Sequence, residues 1–166
     1  MLDPKPTLQR YHENFLGLSS IERIRNADIL SNLLSDSYFM LLKTQNCHWN
    51  VTGPTFKSLH QLFEEQYKEL FKAIDEIAER IRGLGEYTPA SFIDFSERSQ
   101  IKERREHADY MDMLRDLGVS TQIMINRLRD FIRDIDTSED SVTHDLLVRR
   151  LAVHEKNLWM IQSFTS

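Results

Sequence analysis

The sequence predicts an all-α protein, a bundle of four long helices with a short helix in the crossover between the second and third helices. Apolar residues recur at intervals of three and four along most of the chain, which is the spacing of one helix face. Only five Gly and four Pro occur among the 166 residues, so few positions interrupt a helix. No linker or low-complexity stretch divides the chain. We therefore predict a single domain over residues 1–166, with residues 1–18 as a short leader.

The first helix is predicted over about residues 20–50. Ser19 or Ser20 can cap its start, and Glu22 falls in the first turn, where a carboxylate is favoured. Its expected buried stripe consists of Ile29, Leu30, Leu33, Leu34, Tyr38 and Leu41. This stripe predicts the face that packs against the rest of the bundle.

The second helix is predicted over about residues 54–83. Its expected boundary residues are Thr52 or Gly53 as the cap, Pro54 in the first turn, and Gly83 and Gly85 at the end. Its apolar positions are Phe56, Leu59, Phe63, Tyr67, Leu70, Phe71, Ile74, Ile77, Ala78 and Ile81. A helix of this length can carry two separate groups of polar residues on one face.

Residues 86–101 form a connection that contains Pro89 and scattered aromatic residues. We expect this connection to cross the bundle with a short helix inside it, which makes the second and third long helices parallel. The third helix is predicted over about residues 106–135 and the fourth over about residues 139–163. The expected caps of the fourth helix are Thr137, Ser138 or Ser141.

Five side chains that can bind a metal lie on the second helix or just before it, namely His48, His60, Glu64, Asp75 and Glu79. His60 and Glu64 are four residues apart, as are Asp75 and Glu79, so each pair shares one helix face. The two pairs lie about three turns apart, roughly 16 Å along the axis, which neither one metal nor a close metal pair can bridge. Two chains packed antiparallel about a twofold axis near Glu69 and Leu70 would bring the first pair of one chain against the second pair of the other. The sequence therefore predicts a metal site shared by two copies, which His48 can complete.

The ligand types favour iron as the metal. Imidazoles and carboxylates with room for water or an oxidant suit iron better than a closed, thiolate-rich zinc site, although zinc can substitute at the same ligands. A di-iron site inside one bundle would need Glu-x-x-His on two helices. None of the histidines has Glu three positions before it, so a site inside a single bundle is not expected.

The segment HWNVTGPTFKSLHQLFEE, followed by DEIAER, resembles the Dps proteins, or miniferritins. The resemblance extends from the helix that leads into His48 to the closing segment HEKNLWMIQSF. Glu64 stands where many members carry Asp, which keeps the carboxylate and lengthens its reach. The resemblance implies a ferritin-like bundle and a homododecamer built from twofold dimers. It further implies oxidation of Fe(II), with hydrogen peroxide as the preferred oxidant, and storage of ferric mineral, which together protect against oxidative damage.

The resemblance also suggests roles for residues away from the five ligands. Trp49 is expected either to pack against its surroundings or to take up oxidising equivalents that escape the iron site, whereas Trp159 is expected to pack in the core or at an interface. The acidic run between the third and fourth helices is either a capped helix start or the lining of a threefold pore that admits Fe(II). The candidate pore carboxylates are Asp136, Asp140 and Asp145.

Four other histidines have no matching ligand pair, and we expect them to be surface or hydrogen-bonded residues. They are His12, His107, His144 and His154.

Composition limits the expected partners and location. The formal net charge is -5, and the leader has few basic residues, so we expect weak or absent DNA binding near neutral pH. The single cysteine, Cys47, excludes an intrachain disulfide framework. No apolar run approaches the roughly 18 residues of a membrane span, so we expect a bacterial cytosolic protein without membrane or nucleoid association. The competing hypothesis is a non-catalytic shell that coats DNA or another partner and holds a structural metal.

Overall fold

The computed structural model describes residues 16–103 and 108–165. The described chain forms five helices: α1 (Ser20–Asn50), α2 (Phe56–Gly83), α3 (Phe92–Arg98), α4 (Tyr110–Ile135) and α5 (Ser141–Gln162). These helices confirm the predicted all-α bundle and the short helix in the crossover. The first fifteen residues of the predicted leader, with His12, lie outside the described residues. So do His107 and the first positions predicted for the third long helix.

The relative directions of α1, α2 and α4 follow from the contacts of α1. Residues 51–55 join α1 to α2 by a short turn, so these two helices are antiparallel neighbours. Lys43 of α1 contacts Asp116 near the start of α4, and Asp36 contacts Arg127 further along it, so α1 and α4 are also antiparallel. Consequently α2 and α4 are parallel, as the crossover predicts. Within the described residues, no helix is both long enough and apolar enough to cross a membrane.

The start of α1 agrees with the prediction, but one residue of its predicted buried stripe does not. Ser19 is the N-cap, and it forms a reciprocal capping box in which the backbone N–H of Glu22 donates to Ser19 Oγ at 3.2 Å. Tyr38 was expected in the core. It is instead 36% exposed and stacks on Phe95 of α3 with ring centroids 4.3 Å apart. Tyr38 therefore packs against the crossover helix α3 at the surface of the bundle.

The start of α2 differs from the prediction, because neither Thr52 nor Gly53 caps it. The N-cap is Thr55, whose side chain makes no capping hydrogen bond, and Pro54 precedes the helix instead of lying in its first turn. The reason is the backbone of Gly53, which has a φ of 107° and turns the chain between α1 and α2. The Gly53 carbonyl accepts from the N–H of Phe56 at 3.1 Å, which fixes the first helical residue.

Buried polar contacts hold the crossover to the bundle. The Asp36 carboxylate is fully buried and accepts from Ser99 Oγ, from the Gln100 N–H and from the Arg127 guanidinium. Burial raises the pKa of Asp36, and the charge of Arg127 opposes that rise. Lys43, also buried, donates to the Lys102 carbonyl at 2.8 Å. Residues 99–102, which follow α3, are thereby fixed against α1.

Candidate metal centre

Two of the predicted ligands, His48 and His60, fix each other at one end of the bundle. His48 is the third-last residue of α1 and is 8% exposed, while His60 lies in the second turn of α2. The Nδ1 atom of each ring donates to the main-chain carbonyl of the other residue at 2.8 Å, and the rings stack with centroids 3.8 Å apart. A carbonyl oxygen can only accept, so both Nδ1 atoms carry the proton. In the neutral rings the Nε2 lone pairs are therefore free to bind a metal.

Aromatic neighbours restrict the orientation of both imidazoles. Tyr67 of α2 meets the His48 ring edge-on with centroids 5.2 Å apart, and Phe56 lies 5.0 Å from the His60 ring. Neither aromatic residue appears among the predicted ligands. Rings held on two sides and hydrogen-bonded at Nδ1 lose little freedom when Nε2 binds a cation.

The third predicted ligand on this side, Glu64, follows His60 by one turn and is half-buried. Its carboxylate accepts from Lys68 Nζ at 2.5 Å. The hydrogen bond from Lys68 and its positive charge hold the pKa of Glu64 below its usual range, and the two imidazoles add a smaller effect in the same direction. Lys68 was not among the predicted site residues, although the four-residue spacing from Glu64 to Lys68 is typical of a helical ion pair.

The other two predicted ligands, Asp75 and Glu79, lie far from this cluster on the same helix. Both are exposed, and neither forms a hydrogen bond or ion pair with the residues that the structure describes. Because α2 is continuous from residue 56 to residue 83, Asp75 stays roughly 16 Å from Glu64 along the axis. In residues 16–103 and 108–165 of one chain, no three His, Cys, Asp or Glu side chains converge to hold a metal. One chain thus presents two separate groups of potential ligands.

An exposed aromatic residue lies between the two groups. Phe71 is 64% exposed, and it follows Glu64 by seven residues and precedes Asp75 by four. These intervals place all three on one outward stripe of α2. The apolar pattern of the sequence included Phe71, but only the packing shows that it faces away from the bundle. The outward stripe of α2 therefore combines an exposed aromatic side chain with predicted ligands on both sides of it.

Neither tryptophan packs in the core of its own chain. Trp49 adjoins His48 at the end of α1 and is 63% exposed, and Trp159 of α5 is 64% exposed. For Trp159, this rules out the core of one subunit and leaves an interface as the predicted environment. Trp49 lies next to the predicted ligand His48, and its uptake of oxidising equivalents stays a prediction.

The acidic junction between α4 and α5 contains three carboxylates with different environments. Asp136 ends α4 and is exposed, and Asp145 is exposed and pairs with Arg149 at 2.8 Å. Asp140 is only 3% exposed and is the N-cap of α5, in place of the predicted Thr or Ser. Its two carboxylate oxygens together accept four hydrogen bonds. The donors are the backbone N–H and the hydroxyl of Thr143 and the side chains of Arg80 and Asn26.

The burial of Asp140 changes its assignment. Burial by itself would raise the pKa of Asp140, but the hydrogen bonds from Thr143 and Asn26 and the charge of Arg80 hold it below the usual value. An ionised carboxylate whose oxygens are all engaged has no lone pair left for a passing cation. We therefore assign Asp140 to the helix cap and retain Asp136 and Asp145 as the candidate pore residues.

His154 also departs from the expectation of a surface or hydrogen-bonded histidine. Its ring is 2% exposed inside the bundle, and its Nε2 has no hydrogen-bond partner among the described residues. Burial, together with the nearby charge of Arg150, lowers the pKa of His154 to about 3. His144 is half-buried near the start of α5 and belongs to no group of three or more potential metal ligands among the described residues.

The similarity of this chain to known proteins extends over most of its length. A ferritin-like domain family matches residues 27–166. The chain is 38% identical to an uncharacterized low temperature-induced protein of a Nostoc species, over 90% of this chain and 84% of that protein. It is 33% identical to DNA protection during starvation protein 2 of Bacillus anthracis, over 82% of this chain and 94% of that protein.

Solved structures show the same architecture. A Dps protein from Vibrio cholerae O1, described as a member of a broad superfamily of ferritin-like diiron-carboxylate proteins, matches with a TM-score of 0.87 and 31% identity, covering 92% of this chain and 96% of that one. A Dps protein from Bacillus brevis matches with a TM-score of 0.84 and 29% identity, covering 88% of this chain and 98% of that one. Both matches therefore extend over most of this chain and over nearly all of the solved structures.

Proposed function

The chain belongs to the Dps family of the ferritin-like superfamily, and from that premise we propose that it is a ferroxidase and iron-storage protein. In this proposal, Fe(II) is oxidised at sites shared by twofold-related subunits, and ferric mineral is stored within a shell of twelve chains. Iron is the substrate and the stored product. Zinc is expected to bind at the same ligands without being oxidised.

The observation that carries the proposal is the division of the predicted ligands into two groups, one where α1 meets α2 and the other further along α2. His48 and His60 have their Nδ1 atoms engaged and Nε2 available, with Glu64 on the same side. Asp75 and Glu79 are exposed and without partners among the described residues. An antiparallel pair of α2 helices brings each group against its complement and produces two equivalent sites.

The residue types account for the expected chemistry. The imidazoles bind and orient the metal, and the carboxylates neutralise the charge that increases when Fe(II) becomes Fe(III). Glu64 lies between the histidines of its own chain and the carboxylates of the second copy, so it is the ligand best placed to bridge two ions. Each ferrous ion gives up one electron and hydrogen peroxide takes up two, so two ferrous ions are consumed per peroxide. Trp49 can supply an electron when only one ferrous ion is present.

Passage of iron into the shell is the proposed role of Asp136 and Asp145. Both carboxylates are exposed at the junction of α4 and α5, and a symmetric ring of them would attract cations. With a formal net charge of -5 per chain, the assembled shell would repel nucleic-acid phosphates. We therefore propose that DNA is at most a weak partner near neutral pH.

Complementation between two inactive variants tests the shared site. Glu64→Ala damages one ligand group and Asp75→Ala the other, so each homomeric variant should lose rapid iron oxidation while keeping its assembly. When the two are co-expressed or reassembled together, a mixed dimer contains one doubly damaged site and one intact site. Random pairing should thus restore about a quarter of the wild-type sites.

The measurement is the initial rate of ferric absorbance after anaerobic loading with Fe(II) and addition of peroxide. Size-exclusion chromatography of the same samples shows whether ferric iron elutes with an assembled shell. A mixture as inactive as its components would contradict a site shared between chains. Wild-type kinetics in both single variants would instead favour the non-catalytic shell with a structural metal.

A further inference from the structure

Glu64 already has a cationic partner on its own helix. Lys68 lies one turn after Glu64, and its Nζ donates to the Glu64 carboxylate at 2.5 Å. We propose that Lys68 is a built-in competitor of the metal, whose ammonium group occupies the Glu64 carboxylate in the metal-free site and is displaced when Glu64 binds a cation. This inference rests on the proposed function, because it assumes that Glu64 is a metal ligand.

The position of Lys68 allows its ammonium group to reduce repulsion between the carboxylates of two paired copies. Antiparallel pairing of two α2 helices would bring Glu64 of one copy close to Asp75 and Glu79 of the other. Without metal, three carboxylates would then gather at one site, and their repulsion would oppose pairing. Lys68 lies on α2 between Glu64 and the proposed twofold axis near Glu69 and Leu70. Its ammonium group therefore offsets part of this repulsion. The same ammonium must be separated from Glu64 before the carboxylate can bind a metal.

The exposure of the pair indicates that Lys68 adjusts metal affinity without blocking the site. The Lys68 side chain is 61% exposed and that of Glu64 is 38% exposed. Ion pairs this accessible to water change an equilibrium by about two- to fivefold. A divalent cation that also binds a positioned imidazole Nε2 would gain more free energy than it loses by displacing the ammonium.

Lysine variants on α2 separate direct competition from a general effect of charge. Lys68→Met removes the ammonium and keeps an unbranched side chain of similar length, and Lys68→Gln provides a second neutral variant. Lys72→Met is the matched control. Lys72 is exposed one turn further along α2, forms no ion pair with the described residues and contributes the same charge. Lys68→Arg retains a cation that can pair with Glu64.

Titration calorimetry of the assembled protein with Zn²⁺ measures affinity without any oxidation step. Lys68→Met and Lys68→Gln should bind Zn²⁺ about two- to fivefold more tightly than the wild type at the shared sites. Lys68→Arg should bind Zn²⁺ no more tightly than the wild type does. Lys72→Met should have the same Zn²⁺ affinity as the wild type. Equal tightening by Lys72→Met would indicate a long-range charge effect and would overturn the proposal. Unchanged or weaker binding by both neutral Lys68 variants would overturn it as well.

Glu64→Ala, titrated in parallel, distinguishes a failure of this inference from a failure of the proposed function. If Glu64→Ala loses the Zn²⁺ sites while the neutral Lys68 variants resemble the wild type, only the role of Lys68 is wrong. If Glu64→Ala retains the full wild-type isotherm, Glu64 is not a ligand, and both the shared site and the competition by Lys68 are wrong.

Discussion

Replacement of His154 by Leu should make the stability of the bundle less sensitive to acid. His154 is buried within the bundle, where desolvation and the nearby charge of Arg150 lower its pKa from 6.5 to about 3. A group with a depressed folded-state pKa contributes its full stabilisation above the unfolded-state value and loses it as the pH falls towards the folded-state value. The window for His154 therefore begins near pH 6.5 and extends to about pH 3.

The size of the effect follows from the protons bound by each state. Between pH 7 and pH 5 the unfolded chain takes up most of one proton at residue 154, whereas the folded chain takes up almost none. With an unfolded-state pKa of 6.5, this difference lowers the free energy of unfolding by about 2 kcal/mol over that interval. The result depends only on a folded-state pKa well below 5. His154→Leu should lack this contribution.

Urea denaturation at pH 7 and pH 5, at one fixed protein concentration, measures the effect. Between pH 7 and pH 5, the free energy of unfolding of the wild type should fall by about 2 kcal/mol more than that of His154→Leu. This difference does not depend on how stable the two proteins are at pH 7. His144→Gln is the matched control, because it removes a half-buried histidine from the same helix and leaves His154 in place. Equal pH dependence in the wild type and His154→Leu would refute the assignment of a buried, neutral imidazole.

Three further predictions concern the polar contacts and the surface. Asp36→Asn should lower the free energy of unfolding, measured by urea denaturation, by about 3 kcal/mol or more, because Arg127 keeps an uncompensated buried charge. Asp28→Asn, which breaks an exposed ion pair, should lower it by less than about 1 kcal/mol. Asp140→Ala should lower stability by at least about 1 kcal/mol through loss of the cap, whereas Asp136→Asn should leave stability unchanged and slow iron uptake in a stopped-flow assay. Plasmid mobility at about 0.15 M salt should be unaffected by the protein, since net negative charge opposes phosphate binding.

The helices were predictable because their signals are local. A periodic apolar stripe and a Ser19–Glu22 capping pair depend on residues within a few positions of one another, and they gave the ends of α1 correctly. The start of α2 was predicted wrongly, since it depends on the positive φ of Gly53 in the turn. Several residues there can serve as caps, and the sequence does not reveal which of them the turn geometry selects.

The common face of four predicted ligands was also predictable, because it depends on spacing along a single helix. Spacings of four and eleven residues place His60, Glu64, Asp75 and Glu79 on one side of α2 whatever surrounds that helix. The ion pair between Glu64 and Lys68 follows the same local rule, and it could have been found from its four-residue spacing. The reciprocal hydrogen bonds of His48 and His60 could not, because they join residues on two helices.

By itself, the sequence determined the helices, their order and the division of the candidate ligands into two groups, because each of these depends on residue spacing along the chain. The tertiary structure alone decided which polar residues are buried. Asp140 and Asp136 belong to the same acidic run, yet Asn26 of α1 and Arg80 of α2 enclose only the first of them. His154 likewise resembles a surface histidine in the sequence but lies inside the bundle. Burial is set by distant residues that folding brings together, and burial decides whether a charged group binds a cation, caps a helix or remains neutral.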